Sequence, residues 1–178
     1  MIMKETYIGI YWGERNEGLE SCANKVNATL KLLSSIDNSF KEWYKTTRPR
    51  KNEIVEPLDL SFEGTKKHLI SGQNYTDIPR RVIEDLGYLI HIKSEKNYSK
   101  AHVLSISCGA YFEQIESAPN CVVLTFSKET NKEYLTAPVL LNMMYSELSN
   151  IWKPNKGIIK SGDDTFLLED NLLKSKIS

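Results

Sequence analysis

The chain has 178 residues, of which 40% are hydrophobic and 26% are charged, a balance typical of a soluble globular protein with one core. Its 23 basic residues equal its 23 acidic residues in number, which argues against a general nucleic-acid binder and against a DNA mimic over the whole surface. The sequence has no apolar run of about 18 residues and no secretory signal at its N-terminus, so we expect a cytoplasmic protein without a membrane span.

The first predicted element is a strand over Tyr7–Trp12 that leads directly into a helix. Even positions of this strand are apolar and point to one face, as the two-residue period requires. A helix is predicted over residues 17–36, where apolar residues recur at steps of three or four. The positions that share this helical face are Leu19, Cys22, Val26, Leu30 and Leu33. A short second helix carrying Phe40, Trp43 and Tyr44 is expected to cover the same core.

The middle of the chain changes from helical to strand periodicity. Pro57 predicts the first turn of a third helix, which runs to about Ser71 and ends at Gly72. Asp77 is interpreted as the N-cap of a short helical turn that contains Pro79. Beyond this point the apolar residues alternate with a period of two, so strands are expected to follow.

Three strands are predicted next, over residues 88–92, 101–108 and 121–127. Their even positions are apolar, whereas their odd positions are mixed. This pattern predicts an antiparallel sheet whose apolar face is covered by helices.

The C-terminal part is predicted to contain one more helix and one more strand. Thr136 is expected to cap a helix over residues 137–151, and a short strand follows over residues 157–160. The tail over residues 166–177 is predicted to form a further short helix. The element order is then β-α-α-α-β-β-β-α-β. It predicts a single α+β domain over residues 1–178, with a mostly antiparallel sheet of four to five strands and helices packed on one face. The core spans residues 5–162, and an acidic, leucine-rich tail spans 163–178.

Residues with catalytic chemistry do not form a recognisable motif. Cys108, beside Gly109, is the best nucleophile, but its nearest histidine, His102, lies on the same strand at a distance of roughly 20 Å. A small cytosolic hydrolase or transferase that uses Cys108 is the alternative to a binding protein. The three cysteines and three histidines have no zinc-site spacing, and no glycine-rich phosphate loop occurs. No catalytic residue, metal or cofactor is therefore expected.

Five segments of the chain together resemble the immunity protein 52 family of bacterial polymorphic toxin systems. They are residues 7–15 ahead of 19–23, Ile36 and Asp37 ahead of Phe40 and Trp43, residues 82–88, Cys108 with Gly109, and Ile151, Trp152, Lys153 and Pro154. The resemblance covers about residues 5–162. Asn155 departs from the pattern, since an acidic residue is expected after the Trp-x-Pro sequence.

The resemblance implies a bacterial cytosolic antitoxin without enzymatic activity, which acts in interbacterial competition. Such a protein binds a cognate secreted toxin and neutralises it. The implied partner is a toxin domain of the restriction-endonuclease fold, a DNase often delivered by type VI secretion. Inhibition is expected to come from occlusion of the DNA cleft or from locking the nuclease in an inactive form.

The residue types that anchor protein interfaces indicate candidates for the toxin interface. Interfaces are anchored by aromatic and arginine side chains, and a local acidic patch can meet a basic nuclease surface. The candidate anchors are Arg15, Tyr44, Tyr98 and Tyr111, and the candidate acidic contacts are Glu14, Asp163 and Asp164. The three tryptophans, Trp12, Trp43 and Trp152, are predicted to pack in the core instead.

Overall fold

The computed structural model describes residues 6–47, 55–112, 120–127, 129, 133–161 and 164–169, with side chains as far as residue 160. In these residues the chain forms three α-helices and seven β-strands. The helices are α1 (Leu19–Ile36), α2 (Phe62–Ser71) and α3 (Pro138–Trp152). The strands are β1 (Tyr7–Trp12), β2 (Tyr44–Lys45), β3 (Tyr88–Lys93), β4 (Val103–Cys108), β5 (Asn120–Thr125), β6 (Lys156–Ser161) and β7 (Asp164–Glu169).

The strands form one sheet in the order β2-β3-β4-β5-β1-β6-β7. Every neighbouring pair in it is antiparallel. The N-terminal strand β1 lies inside the sheet between β5 and β6, so that Tyr11 is opposite Cys121 on one side and Lys156 on the other. The predicted α+β class with an antiparallel sheet is confirmed, and β2 and β7 are strands that the sequence pattern did not predict.

One face of the sheet carries the hydrophobic core. The even positions of β1, β3, β4 and β5 that were predicted to be apolar and inward are buried, with Tyr88 only partly so. Buried residues of α1, α2 and α3 belong to the same cluster, which places the helices over this face. Gly157 in β6 closely approaches the Tyr145 ring of α3, and a Cβ at this position would clash with that ring. The predicted burial of all three tryptophans is confirmed.

Two helical predictions in the first half of the chain are wrong. The segment after α1 is a 3-10 turn over Asn38–Phe40, and Tyr44 lies in β2. α2 begins at Phe62, five residues beyond Pro57, because the Ser61 side chain accepts the Gly64 N–H at 3.0 Å and fixes the N-terminus there. The predicted end of this helix at Gly72 is confirmed.

Three further predictions need correction. Asp77 caps no helix: residues 75–82 form a hairpin-like loop closed by a bridge between Tyr75 and Val82. Thr136 ends a 3-10 turn, and Ala137 is the N-cap of α3. The tail over 164–169 is strand β7, since pairing with β6 satisfies its backbone, while residues 170–177 of the predicted tail helix lie outside the described residues. None of the helices in the described part of the chain is long and apolar enough to cross a membrane.

Candidate functional site

The turn between β1 and α1 is fixed by the side chain of Arg15. Arg15 Nη1 donates to the carbonyl of Trp152 at 2.7 Å, and Nη2 donates to the carbonyl of Lys153 at 2.8 Å. These carbonyls end α3, where a cation also interacts favourably with the helix dipole. The guanidinium lies 5.5 Å from the centre of the Trp12 ring, and Nη1 lies 3.6 Å from a carboxylate oxygen of Glu17. Arg15 therefore holds the fold together, and its side chain is only 31% exposed.

Two asparagine side chains form hydrogen bonds with the backbone at this turn. Asn120 is fully buried; its Oδ1 accepts from the Ala110 N–H at 2.9 Å, and its Nδ2 donates to Ala110 O at 2.9 Å and to Gly13 O at 2.7 Å. The Oδ1 of Asn155 accepts from the Gly13 N–H at 3.2 Å. The residue that departs from the family pattern thus has an acceptor role that a carboxylate oxygen can also perform.

The tryptophans of this region are structural. The Trp12 and Trp152 rings stack with their centres 5.2 Å apart, and Trp152 Nε1 donates to the Thr29 hydroxyl at 2.8 Å. Both rings are buried. Two of the segments that carry the family resemblance, residues 7–15 and 151–154, therefore meet here and join β1 to the end of α3.

The structure separates the predicted interface residues into two groups. Arg15 N donates to Ala110 O, so Glu14, Arg15 and Tyr111 lie at the end of the sheet where β1 finishes, which we call the turn end. Glu14 is exposed there, and Tyr111 is half-buried. Tyr98 is 55% exposed and follows β3. It lies at the opposite end of the sheet, because Lys93, the last residue of β3, is in the same cross-strand row as Tyr7, the first residue of β1.

Tyr44 is not the exposed anchor that the sequence predicts. Its side chain is only 5% exposed, because β2 places it against the Lys93 end of β3. Its hydroxyl donates to Glu42 at 2.6 Å; this hydrogen bond, together with burial, raises the pKa of Tyr44 to about 12. Asp163 lies outside the described residues, and of Asp164 only the backbone, at the start of β7, is described.

Cys108 lacks the surroundings of a catalytic thiol. It is fully buried, and a hydrogen bond to Cys22 together with burial raises the pKa of its thiol well above the ordinary value. A nucleophilic cysteine needs the opposite, an accessible group with a lowered pKa. The nearest histidine in sequence, His102, accepts the Ser127 N–H on its Nδ1 at 3.0 Å. No cluster of metal-ligating side chains occurs in the described residues.

The face of the sheet opposite the helices is the first surface open to a partner. Side chains of five strands form rows on it. One such row, in register across the sheet, consists of Lys156, Tyr11, Cys121, Ser107 and Leu89. In the next row the His91 Nδ1 and the Ser105 Oγ are hydrogen-bonded at 2.5 Å, as a directly opposed cross-strand pair. Burial lowers the pKa of His91. Among the side chains described on this face, the large apolar ones other than Leu89 are only partly exposed.

The second surface is the loop of residues 75–82, which we call the arginine loop because it carries Arg80 and Arg81. Ile78 at its tip is 94% exposed, and Tyr75 and Val82 at its base are 37% and 38% exposed. The sequence reasoning missed this loop. The sequence feature that could have indicated it is Ile78 ahead of Pro79 and the two arginines, between Tyr75 and Val82.

A cleft of about 170 Å³ lies between the segments that flank the arginine loop and the turn end. Gln73 and Glu84, which flank the loop in sequence, line this cleft together with Asn16 and Tyr111. The residues that flank the arginine loop in sequence therefore border the same cleft as the turn-end residue Tyr111.

Comparison with known proteins identifies the family. The family model Immunity protein 52 matches residues 4–171, nearly the whole chain. The chain belongs to the immunity protein 52 family. The predicted resemblance is thereby confirmed, and the match extends into β7, beyond the segments that suggested it.

The other comparisons add no functional information about this family member. No curated protein matches the chain. Among solved structures, a Pseudomonas aeruginosa T6SS protein is similar over 86% of this chain, at 13% sequence identity and a TM-score of 0.43. The chain spans 39% of the length of that protein. At this level the similarity supports no argument about the function of the chain.

Proposed function

We propose that this chain is an immunity protein that binds a cognate secreted toxin and neutralises it in the cytoplasm of the producing cell. The observation that carries the proposal is the match of the Immunity protein 52 model to residues 4–171. From the earlier resemblance, the partner we propose is a DNase domain of the restriction-endonuclease fold in a polymorphic toxin system, delivered by type VI secretion. Residues 1–178 are proposed to act as one domain.

The chemistry of the described residues supports binding as the mode of action. The best candidate nucleophile, Cys108, is buried with a raised pKa, so no feature favours the thiol-enzyme alternative. Equal numbers of acidic and basic residues argue against imitation of DNA by the whole surface. Neutralisation is therefore proposed to depend on one local interface, and stable interfaces of this kind bury about 800 Å² on each partner.

Growth of cells that produce the toxin tests this function. The toxin encoded beside this chain is expressed from an inducible promoter, with and without the chain on a second plasmid. We expect the chain to restore growth, and we expect an affinity tag on it to recover the toxin in equal amounts. An unrelated toxin is the control and is expected to remain lethal. Continued killing by the cognate toxin at high levels of the folded chain, without a recovered complex, would contradict the proposal.

A further inference from the structure

Exposed hydrophobic side chains are concentrated in one stretch of the sequence. In the described residues nine large hydrophobic side chains are exposed, and five of them fall within residues 70–89. These five are Ile70, Tyr75, Ile78, Val82 and Leu89. Single exposed hydrophobic residues are ordinary, whereas a concentration of them marks an interaction site. The arginine loop contributes three of the five, and Ile78 is the most exposed of all.

The arginine loop is fixed by its own hydrogen bonds. Thr76 N donates to Arg81 O at 2.9 Å, and Arg81 N donates to Thr76 Oγ1 at 3.0 Å. At the base, Ile83 N donates to Asn74 O at 2.8 Å beside the bridge between Tyr75 and Val82. A segment that is already ordered loses little conformational entropy when it binds. The loop therefore presents Ile78 in a defined position.

The two arginines define the chemistry of the partner. The Arg80 guanidinium lies 4.6 Å from the centre of the Tyr75 ring, and Arg81 is exposed. Neither arginine has an ion pair with a carboxylate of the described residues, although Asp77 is part of the same loop. A guanidinium favours bidentate contacts with carboxylates. An exposed isoleucine followed closely by two arginines fits an apolar pocket with carboxylates at its rim.

We propose that the arginine loop inserts Ile78 into an apolar pocket of the toxin domain, while Arg80 and Arg81 bind carboxylates at the rim of that pocket. This inference rests on the proposed function. Because a single loop is too small for a stable interface, Glu14 and Tyr111 at the turn end supply the adjoining contacts across the cleft lined by Gln73 and Glu84. The face of the sheet opposite the helices is less favoured, since the large apolar side chains described on it, other than Leu89, are already partly buried.

Two loop variants with matched controls test the inference. Ile78→Ala removes the apolar tip, and its control is Val139→Ala at an 83% exposed position of α3. The double variant Arg80→Glu and Arg81→Glu reverses two charges, and its control reverses Lys31 and Lys41, which are exposed in and after α1. Far-UV circular dichroism and thermal unfolding confirm that each variant is folded. Because the mutated side chains are exposed, we expect no loss of structure.

Binding is measured by calorimetry and by stopped-flow kinetics with the toxin domain encoded beside this chain. We expect each loop variant to bind at least about 30-fold more weakly, the size of an interface hot spot, and the controls to stay within about threefold. The double charge reversal is also expected to slow association and to remove its dependence on salt.

The outcomes separate the inference from the function on which it rests. If the wild-type chain does not bind the toxin, the proposed function fails. If the wild-type chain binds and both loop variants bind with unchanged affinity, only the loop inference is overturned. It is also overturned if Ile78→Ala changes self-association, measured by light scattering, and leaves the affinity for the toxin unchanged. Weakening by both variants but not by the controls supports it.

Discussion

Replacement of Asn120 by alanine is expected to destabilise the protein strongly. The substitution leaves the buried Ala110 N–H without its partner, at a cost of about 1–3 kcal/mol. It also removes the donations to Gly13 O and Ala110 O, each of which contributes about 1 kcal/mol. Ala110 O keeps the hydrogen bond from Arg15 N, so no further penalty is added there. The expected loss is about 3–5 kcal/mol, a large part of the stability of a typical domain.

Urea unfolding followed by circular dichroism measures this loss. With a slope of about 2 kcal/mol per molar urea, the midpoint should fall by about 1.5–2.5 M. Asn142→Ala, at an exposed position of α3, is the control and should change the free energy of unfolding by less than about 0.5 kcal/mol. Asn120→Asp keeps the acceptor but loses both donors, and it should not restore stability. A loss below about 1 kcal/mol for Asn120→Ala, or recovery by Asn120→Asp, would refute the reasoning.

Three other results are expected. Gly72→Ala should destabilise the chain by about 2–3 kcal/mol in urea unfolding, because the new Cβ would clash with the backbone oxygen of Leu89 in β3. The Gly18→Ala control, whose new Cβ would have nothing within 4 Å, should not destabilise it, and equal effects of the two substitutions would contradict the clash. Tyr44 should ionise near pH 12 in a difference titration at 295 nm against Tyr44→Phe, and Glu42→Gln should lower that value. In the unfolded chain the Tyr44 side chain ionises near pH 10, so the stability that its hydrogen bond to Glu42 contributes is complete below pH 10 and is lost between pH 10 and 12. Ionisation at pH 10 in the native protein would contradict the hydrogen bond. Cys108 should remain unlabelled by a thiol reagent until urea unfolds the protein, and rapid labelling of the native state, located by mass spectrometry, would contradict its burial.

The elements with a long, regular pattern could be predicted from the sequence. β1 alternates over six residues and α1 keeps one apolar face over 18 residues, so local periodicity was sufficient for both. β2 has only two residues, which is too few to show a period. β7 is a strand because it pairs with β6, from which only two residues separate it, and the leucines of the tail do not reveal this pairing.

The proposed interface was harder to predict than the fold. The exposure of Tyr44 was predicted wrongly because its burial depends on the pairing of β2 with β3, which lie far apart in sequence. Arg15 was predicted as an interface anchor from its residue type, whereas its position against the end of α3 gives it a structural role. The arginine loop has no periodicity, so its exposed isoleucine became visible only once the hairpin-like bridge at its base was known.

Family membership and the proposed mechanism rest on different observations. Membership in the immunity protein 52 family rests on the match to residues 4–171. Neutralisation by binding is a proposal about a partner, and the local chemistry supports it through what the described residues offer: an ordered loop with an exposed apolar tip and two arginines. The toxin must then provide a complementary surface, an apolar pocket with carboxylates at its rim.

Calorimetric titration of the toxin domain encoded beside this chain tests the central claim most directly. We expect one binding event per toxin molecule, with a dissociation constant of about 1 nM or below, as for other tight inhibitory complexes, and loss of toxin activity at the same molar ratio. Absence of binding at about 10 µM of each folded partner, with toxin activity unchanged, would contradict the account.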